Sequence, residues 1–236
     1  MNLRACVIAC AALLPLKASA LDLEPAFGVS EFCCITDSLW WQSPFGFTGN
    51  RRSLSYEFGV RKRIGNWGIA ARYSELGEAA GQNIASMRDD EFGKYNTAQP
   101  CDTNQYKNCL AFFDVHQRVN AAMLGASYRF TFNGVSVEPE IGQAFYQSHM
   151  KVSILCPNCG VGSKYAFGAG GTFTSTSEIR RSPYAALRLT YKGATLTYRR
   201  ISNIDGNGAR TEGDDAQFAS GLTHGPVNQL LIGVSL

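Results

Sequence analysis

The stretch Ser182–Asn203, SPYAALRLTYKGATLTYRRISN, decides the fold. In its first run Ala185, Leu187, Leu189 and Tyr191 share one face, and Tyr184, Ala186, Arg188 and Thr190 share the other. That is the two-residue period of a β-strand. Tyr191-Lys192-Gly193-Ala194 turns the chain, after which Ala194, Leu196 and Tyr198 alternate with Thr195, Thr197 and Arg199. The result is a β-hairpin with one apolar and one polar face. Taken alone it suits a soluble sandwich, with the apolar face inward, or a membrane barrel, with that face turned to lipid.

The same alternation recurs along the chain. Leu21, Leu23, Pro25, Phe27 and Val29 mark a first strand. Leu54, Tyr56, Phe58 and Val60 mark a second, and Trp67, Ile69, Ala71 and Tyr73 a third across Gly65-Asn66. Ala122, Leu124, Ala126, Tyr128, Phe130 and Phe132 form a fourth, which Asn133-Gly134 joins to Val135, Val137, Pro139 and Ile141. Asn-Gly between alternating runs is the strongest short hairpin signal. The opening hairpin supplies strands six and seven, and the C-terminal QLLIGVSL the eighth.

Tight turns follow strands two, four and six, and long connections follow one, three, five and seven. Outer-membrane barrels alternate in this way, whereas a sandwich keeps most connections short. The polar faces carry Glu24, Glu57, Arg61, Arg72, Arg129, Glu138, Glu140, Arg188 and Arg199. In a closed eight-stranded barrel these charges meet in a narrow lumen, where both signs must pair because an unpaired buried charge is costly. The expected fold is therefore an all-β, eight-stranded antiparallel transmembrane β-barrel, with short periplasmic turns and long extracellular loops.

Residues 1–20 combine Arg4, an apolar run from Ala5 to Leu16 and Ala18-Ser19-Ala20, the pattern of a secretory signal peptide. The barrel domain is expected over 21–236. No later apolar run approaches the 18 or so residues of a membrane helix. The 24 Gly, 10 Tyr and 14 Phe suit strands and aromatic girdles, and a net charge of +3 is too small to argue for nucleic acid.

Of eight cysteines, Cys6 and Cys10 fall within the signal. Cys33, Cys34, Cys101, Cys109, Cys156 and Cys159 are expected in the long loops, where secretion and an even count favour disulfides. Cys156-Pro157-Asn158-Cys159 has metal or redox spacing but no matching second pair, so no metal or other cofactor is expected. Trp40 and Trp41, with Phe45 and Phe47, form an interface belt or a binding loop. His116, His149 and His224 are expected in loops and lack a metal spacing.

This pattern resembles the small eight-stranded outer-membrane β-barrel superfamily of Gram-negative bacteria, which implies an outer-membrane location and delivery by the barrel assembly machinery. One departure is Leu236, where such barrels usually end in an aromatic residue. A shorter resemblance lies in Tyr198-Arg199-Arg200-Ile201-Ser202-Asn203, which is similar to the strand-end His-x-Ser-Asn signature of the outer-membrane lipid A 3-O-deacylases. Ser202 and Asn203 match it, and by parity Arg200 and Ser202 continue the lipid-facing side of Leu196 and Tyr198. Arg200 stands where that family has its histidine, and a guanidinium stays protonated and cannot take the serine proton. Asn228 and Gln229 stand near the acidic partner's place, with Glu212, Asp214 and Asp215 as loop candidates. The expected function is a non-enzymatic envelope protein contacting outer-membrane lipid, lipopolysaccharide through Arg200, or a surface ligand through its loops. The rival is a lipid A esterase using Ser202. A passive pore is disfavoured because side chains fill an eight-stranded interior.

Overall fold

The computed structural model describes residues 21–35, 47–86, 110–155, 171–205 and 223–236. The expected signal peptide, Trp40, Trp41, Cys101, Cys109, Cys156, Cys159, Glu212, Asp214 and Asp215 lie outside the described residues.

The strands are β1 (Leu21–Ile35), β2 (Phe47–Asn50), β3 (Arg52–Ile64), β4 (Trp67–Ser86), β5 (Leu110–Tyr128), β6 (Phe130–Phe132), β7 (Val135–Leu155), β8 (Gly171–Thr176), β9 (Arg180–Tyr191), β10 (Ala194–Ile201) and β11 (Thr223–Val234). Eight of them form staves, paired antiparallel in the cycle β1-β3-β4-β5-β7-β9-β10-β11 and back to β1. The sheet closes on itself, so the staves leave no free edge at the barrel's waist. Leu23 and Leu236 exchange both backbone hydrogen bonds at 3.1 and 3.0 Å, which completes the ring at the C-terminus.

Three two-residue turns define one rim. Asn133 and Gly134 have φ of 48° and 81°, and Lys192 and Gly193 have 47° and 84°. Two successive left-handed residues make the turn whose twist matches the flanking strands. Gly65-Asn66 makes the third, with Ile64 paired to Trp67. All three are where the sequence places tight turns.

The opposite rim departs from expectation. β4, β5 and β7 run for 20, 19 and 21 residues. At about 3.3 Å per residue and a tilt near 45°, strands this long climb roughly 45 Å, against an apolar band of about 25 Å. The strands thus continue into what the pattern assigned to loops. Cys33 and Cys34 belong to β1, not to a loop, and Cys34 pairs in register with His224. His116, His149 and His224 likewise sit on β5, β7 and β11. β2 and β8, absent from the expected strand set, pair with the upper parts of β4 and β7. Strand pairing here continues because these segments bury an apolar face of their own, described below.

Candidate functional site

Period-two geometry sends alternate residues to the lumen, where Glu24, Glu57, Arg61, Arg72, Glu138, Glu140, Arg188 and Arg199 are buried. Arg61 is fully buried at the centre. Its Nε donates to Glu24 at 2.7 Å, its Nη1 to Glu138 at 2.8 Å and its Nη2 to Glu140 at 2.9 Å. Ser127 accepts a further bond from Nη1 at 2.6 Å. Arg72 donates to Glu24 at 3.1 Å and to Glu140, and its Nε forms an ion pair with Glu57 at 3.3 Å. Arg188 pairs with Glu24, and Arg199 with Glu57 and, at 3.0 Å, with Gln229. Arg129, at the break between β5 and β6, reaches Glu138 from the turn rim. Burying these groups is tolerable because nearly every carboxylate meets two or more guanidinium groups, which offsets the loss of water.

Three members of this network were not among the expected lumen charges. Arg63 bridges Asp22 and Glu138, each at 2.7 Å. Both Arg63 and Asp22 continue the faces of Arg61 and Glu24, so extending the alternation by one step finds them. Tyr184 donates to Glu140 at 2.8 Å, and its ring lies 5.5 Å from the Arg199 guanidinium. Room for it comes from two glycines. A Cβ on Gly125 would stand 2.1 Å from the Tyr184 hydroxyl, and one on Gly142 would stand 2.6 Å from its ring.

The outer wall is the reverse. Phe27, Leu54, Phe58, Ile69, Ile141, Leu187, Tyr198, Leu230 and Ile232 are large apolar residues exposed on it. No soluble protein spreads such a band around its circumference, and lipid is the solvent that accepts it. The band has a definite upper limit. Going towards the loop rim, the outward positions change from Val29 to Glu31, Leu54 to Arg52, Tyr73 to Glu75, Ala122 to Asn120, Phe145 to Gln147, Tyr198 to Arg200 and Leu230 to Asn228.

Charges just above this limit are unevenly matched. On the β1–β5 side Arg52 bonds Glu31 at 3.1 Å and Arg118 bonds Glu78 at 2.7 Å. On the β7–β10 side Lys151, Arg181 and Arg200 are exposed and have no carboxylate partner among the described residues.

Ser202 and Arg200 face outward together, as parity requires. They open onto a furrow of about 700 Å³ in the outer wall, bounded by Ala126, Ile141, Gln143, Pro183 and Ala185. The Ser202 backbone N–H makes a ladder bond to the Pro183 carbonyl at 2.9 Å. The Asn203 side-chain oxygen accepts from the Gly225 N–H at 3.1 Å, and the Asn203 backbone N–H donates to the Ser182 hydroxyl oxygen at 2.9 Å. Asn228, opposite Arg200 in the register, accepts from the Tyr198 hydroxyl at 3.1 Å. Among the described residues no imidazole or carboxylate is bonded to the Ser202 hydroxyl.

Above the band, His116 lies between Glu78 at 2.5 Å and Asp114 at 3.1 Å. The Glu78 hydrogen bond raises the His116 pKa, with Asp114 adding to it. Burial opposes ionisation of Glu78, but Arg118 and His116 outweigh it and lower its pKa.

A closed barrel that is charged within and apolar around its waist is a membrane-spanning β-barrel. No family model matches the sequence, and no curated protein matches it. Solved structures that resemble it include Ail, the attachment invasion locus protein of Yersinia pestis, in complex with the heparin analogue sucrose octasulfate. That match is 10% identical, with a TM-score of 0.40, over 92% of this chain and 100% of the other. Neisserial surface protein A is 14% identical, with a TM-score of 0.37, over 93% and 98%. A major outer membrane protein from Thermus thermophilus is 10% identical, with a TM-score of 0.45, over 92% and 99%. At these scores the likeness adds nothing to the strand pairing itself.

Proposed function

We propose that the chain is a non-enzymatic protein of the Gram-negative outer membrane, whose barrel anchors a folded surface extension and whose loop-side rim holds lipopolysaccharide. The observation that carries this reading is the pair Arg181 and Arg200, outward at the first charged positions above the apolar band and without carboxylate partners among the described residues. A guanidinium at that height meets the phosphates of the outer leaflet and can hold one bidentately. The short turns then face the periplasm. Fully buried side chains such as Arg61, Met123 and Leu231 occupy the interior, which disfavours a pore. The six cysteines of the secreted chain are oxidised in this reading, bracing the surface loops, and those loops contact a host surface or a protein partner.

The test is the lipopolysaccharide retained per barrel after purification from outer membranes. Replacing Arg181 and Arg200 together by alanine is expected to lower it several-fold, while heat-modifiable gel mobility persists. Unchanged retention overturns the rim reading. Recovery of the wild-type chain in the soluble fraction without detergent overturns the barrel's membrane role altogether.

A further inference from the structure

The furrow beside Arg200 and Ser202 has a direction. It lies between two rows of outward side chains that cross the strands along the hydrogen-bond register. One row is Arg200, Ala185, Ile141, Ala126. The other starts at Ser202 and continues through Pro183 and Gln143. Because the staves tilt, a row perpendicular to them does not stay at one height in the membrane. Arg200 is the first outward residue above the apolar band on β10. Its neighbour Ala185 lies two outward positions below Arg181 on β9. Ile141 lies three below Gln147 on β7, and Ala126 three below Asn120 on β5. The row therefore descends from the headgroup level at Arg200 into the apolar band at Ala126. Its floor is low where Ala185 and Ala126 stand, and Leu187 and Leu124 are the adjacent outward residues on their strands. With strands about 4.8 Å apart, crossing four of them gives a slot roughly 14 Å long.

We propose that this furrow is a binding site for one phosphorylated membrane lipid, with an acyl chain laid along Ala185, Ile141 and Ala126 and the phosphate held by Arg200 and the Ser202 hydroxyl. The site rests on the rim reading above and adds to it a single fixed position for a lipid tail. Charge and depth agree in this: the cation stands at the shallow end, where a phosphate resides, and Ala126 and Ile141 line the deep end. Ser202 is the polar group at the headgroup end of the upper row, so a carbonyl at the chain's root finds a donor there, and Gln143 stands two outward positions below Gln147 at the row's other end.

The experiment is native mass spectrometry of the full barrel in detergent, offered phosphatidylglycerol, a diacylglycerol of the same chains, or inorganic phosphate. One phosphatidylglycerol per barrel is expected, with at least ten-fold weaker retention of diacylglycerol and no displacement by excess phosphate. Ala185→Phe and Ala126→Leu fill the slot on a surface that lipid covers, so folding is preserved, and each is expected to lower retention at least ten-fold. Ala194→Phe adds the same bulk near the turn rim and is expected to change nothing. Retention unaffected by Ala185→Phe and Ala126→Leu but lost with Arg200→Ala overturns the furrow and leaves the rim reading standing. Retention unaffected by Arg200→Ala overturns the site, while the rim reading is judged by the Arg181 and Arg200 double substitution. Equal retention of diacylglycerol, or displacement by phosphate, also overturns the site.

Discussion

The staves run through two environments, and their side chains exchange places between them. Around the waist, Leu124, Ile141 and Tyr198 face out while Glu140, Arg72 and Arg199 face in. Above Glu75, Asn120 and Gln147 the outward set is Glu78, Gln82, Asp114, His116, Arg118, His149 and Lys151. There the inward positions include Leu76, Ala79, Val115, Val119, Met150 and Val152, each at most 4% exposed, with Gln117 and Ser148 buried among them. One continuous sheet is thus a membrane barrel below and has the polarity of a water-soluble one above. The reversal teaches that backbone pairing is indifferent to which face is greasy, since the solvent outside decides it. Each half is held by a different force, ion pairing below and apolar burial above, so a substitution should act by different rules in the two.

The largest effect is expected at the hub of the lower half. Arg61→Met removes the partner shared by Glu24, Glu138 and Glu140 and leaves buried carboxylates short of charge. Breaking a buried pair of this kind costs about 3–5 kcal/mol, and urea unfolding of the barrel from lipid vesicles reads it. A cost under about 1 kcal/mol would mean that water reaches the lumen freely and that the two halves are not held differently.

In the upper half Leu76→Ala opens a cavity in an apolar core, with an expected loss of about 2–4 kcal/mol. It should be local. Limited proteolysis is expected to cut the upper parts of β4 and β5 sooner, while the barrel's heat-modifiable gel shift is retained. Loss of the gel shift would show that the extension and the membrane barrel fold as one unit.

The two halves also differ in how legible they are. The lower half could be read residue by residue: alternation alone places Glu24, Arg61, Arg188 and Arg199 on the inner face, because lipid outside and charge inside give opposite signals at successive positions. Near Ala121-Ala122-Met123-Leu124 that contrast vanishes, since both faces are apolar where the polarity changes over. On β4 a bulge between Glu75 and Glu78, with Gly77 at φ 89°, slips the parity by one, so the alternation read up to Tyr73 loses phase. Those local features concealed the extension, and with it the placement of Cys33, Cys34, His116 and His149 on strands. Of the outer site, parity gave Arg200 and Ser202 their direction. The furrow depends on the register of β5 and β7 against β9, which no local signal carries.

A smaller effect separates the halves by pH. His116 has a raised pKa in the fold, so its contribution is complete below the ordinary value of 6.5 and is lost as pH rises through the higher folded value. Glu78 is lowered, so its contribution holds above 4.5 and is lost as pH falls through the folded value. The cluster with Asp114 and Arg118 therefore stabilises the extension most between these limits. Because His116 is 39% exposed, solvent screening keeps the change under about 1 kcal/mol. The protease sensitivity of the extension is expected to rise slightly from pH 6 to 9, and His116→Gln to flatten that trend. A trend that survives the substitution assigns it elsewhere.

The smallest expected effect is none, at Ser202. An ester-cleaving serine needs a base to take its proton and donors for the oxyanion, and removing the base usually costs orders of magnitude in rate. The residue beside Ser202 on the same outward face, Arg200, cannot accept a proton. The Asn203 side-chain oxygen accepts from the Gly225 N–H, and Asn228 accepts from the Tyr198 hydroxyl. Ser202 does look outward at lipid, so substrate could reach it, and among the described residues no imidazole or carboxylate is bonded to its hydroxyl. Ser202→Ala is therefore expected to leave the acyl composition of lipid A unchanged by mass spectrometry, in cells carrying the wild-type or the variant barrel. Loss of a 3-O-linked acyl chain with the wild-type barrel alone would instead make the outer wall a catalytic surface. It would require a base brought to Ser202 from a connection above the strands.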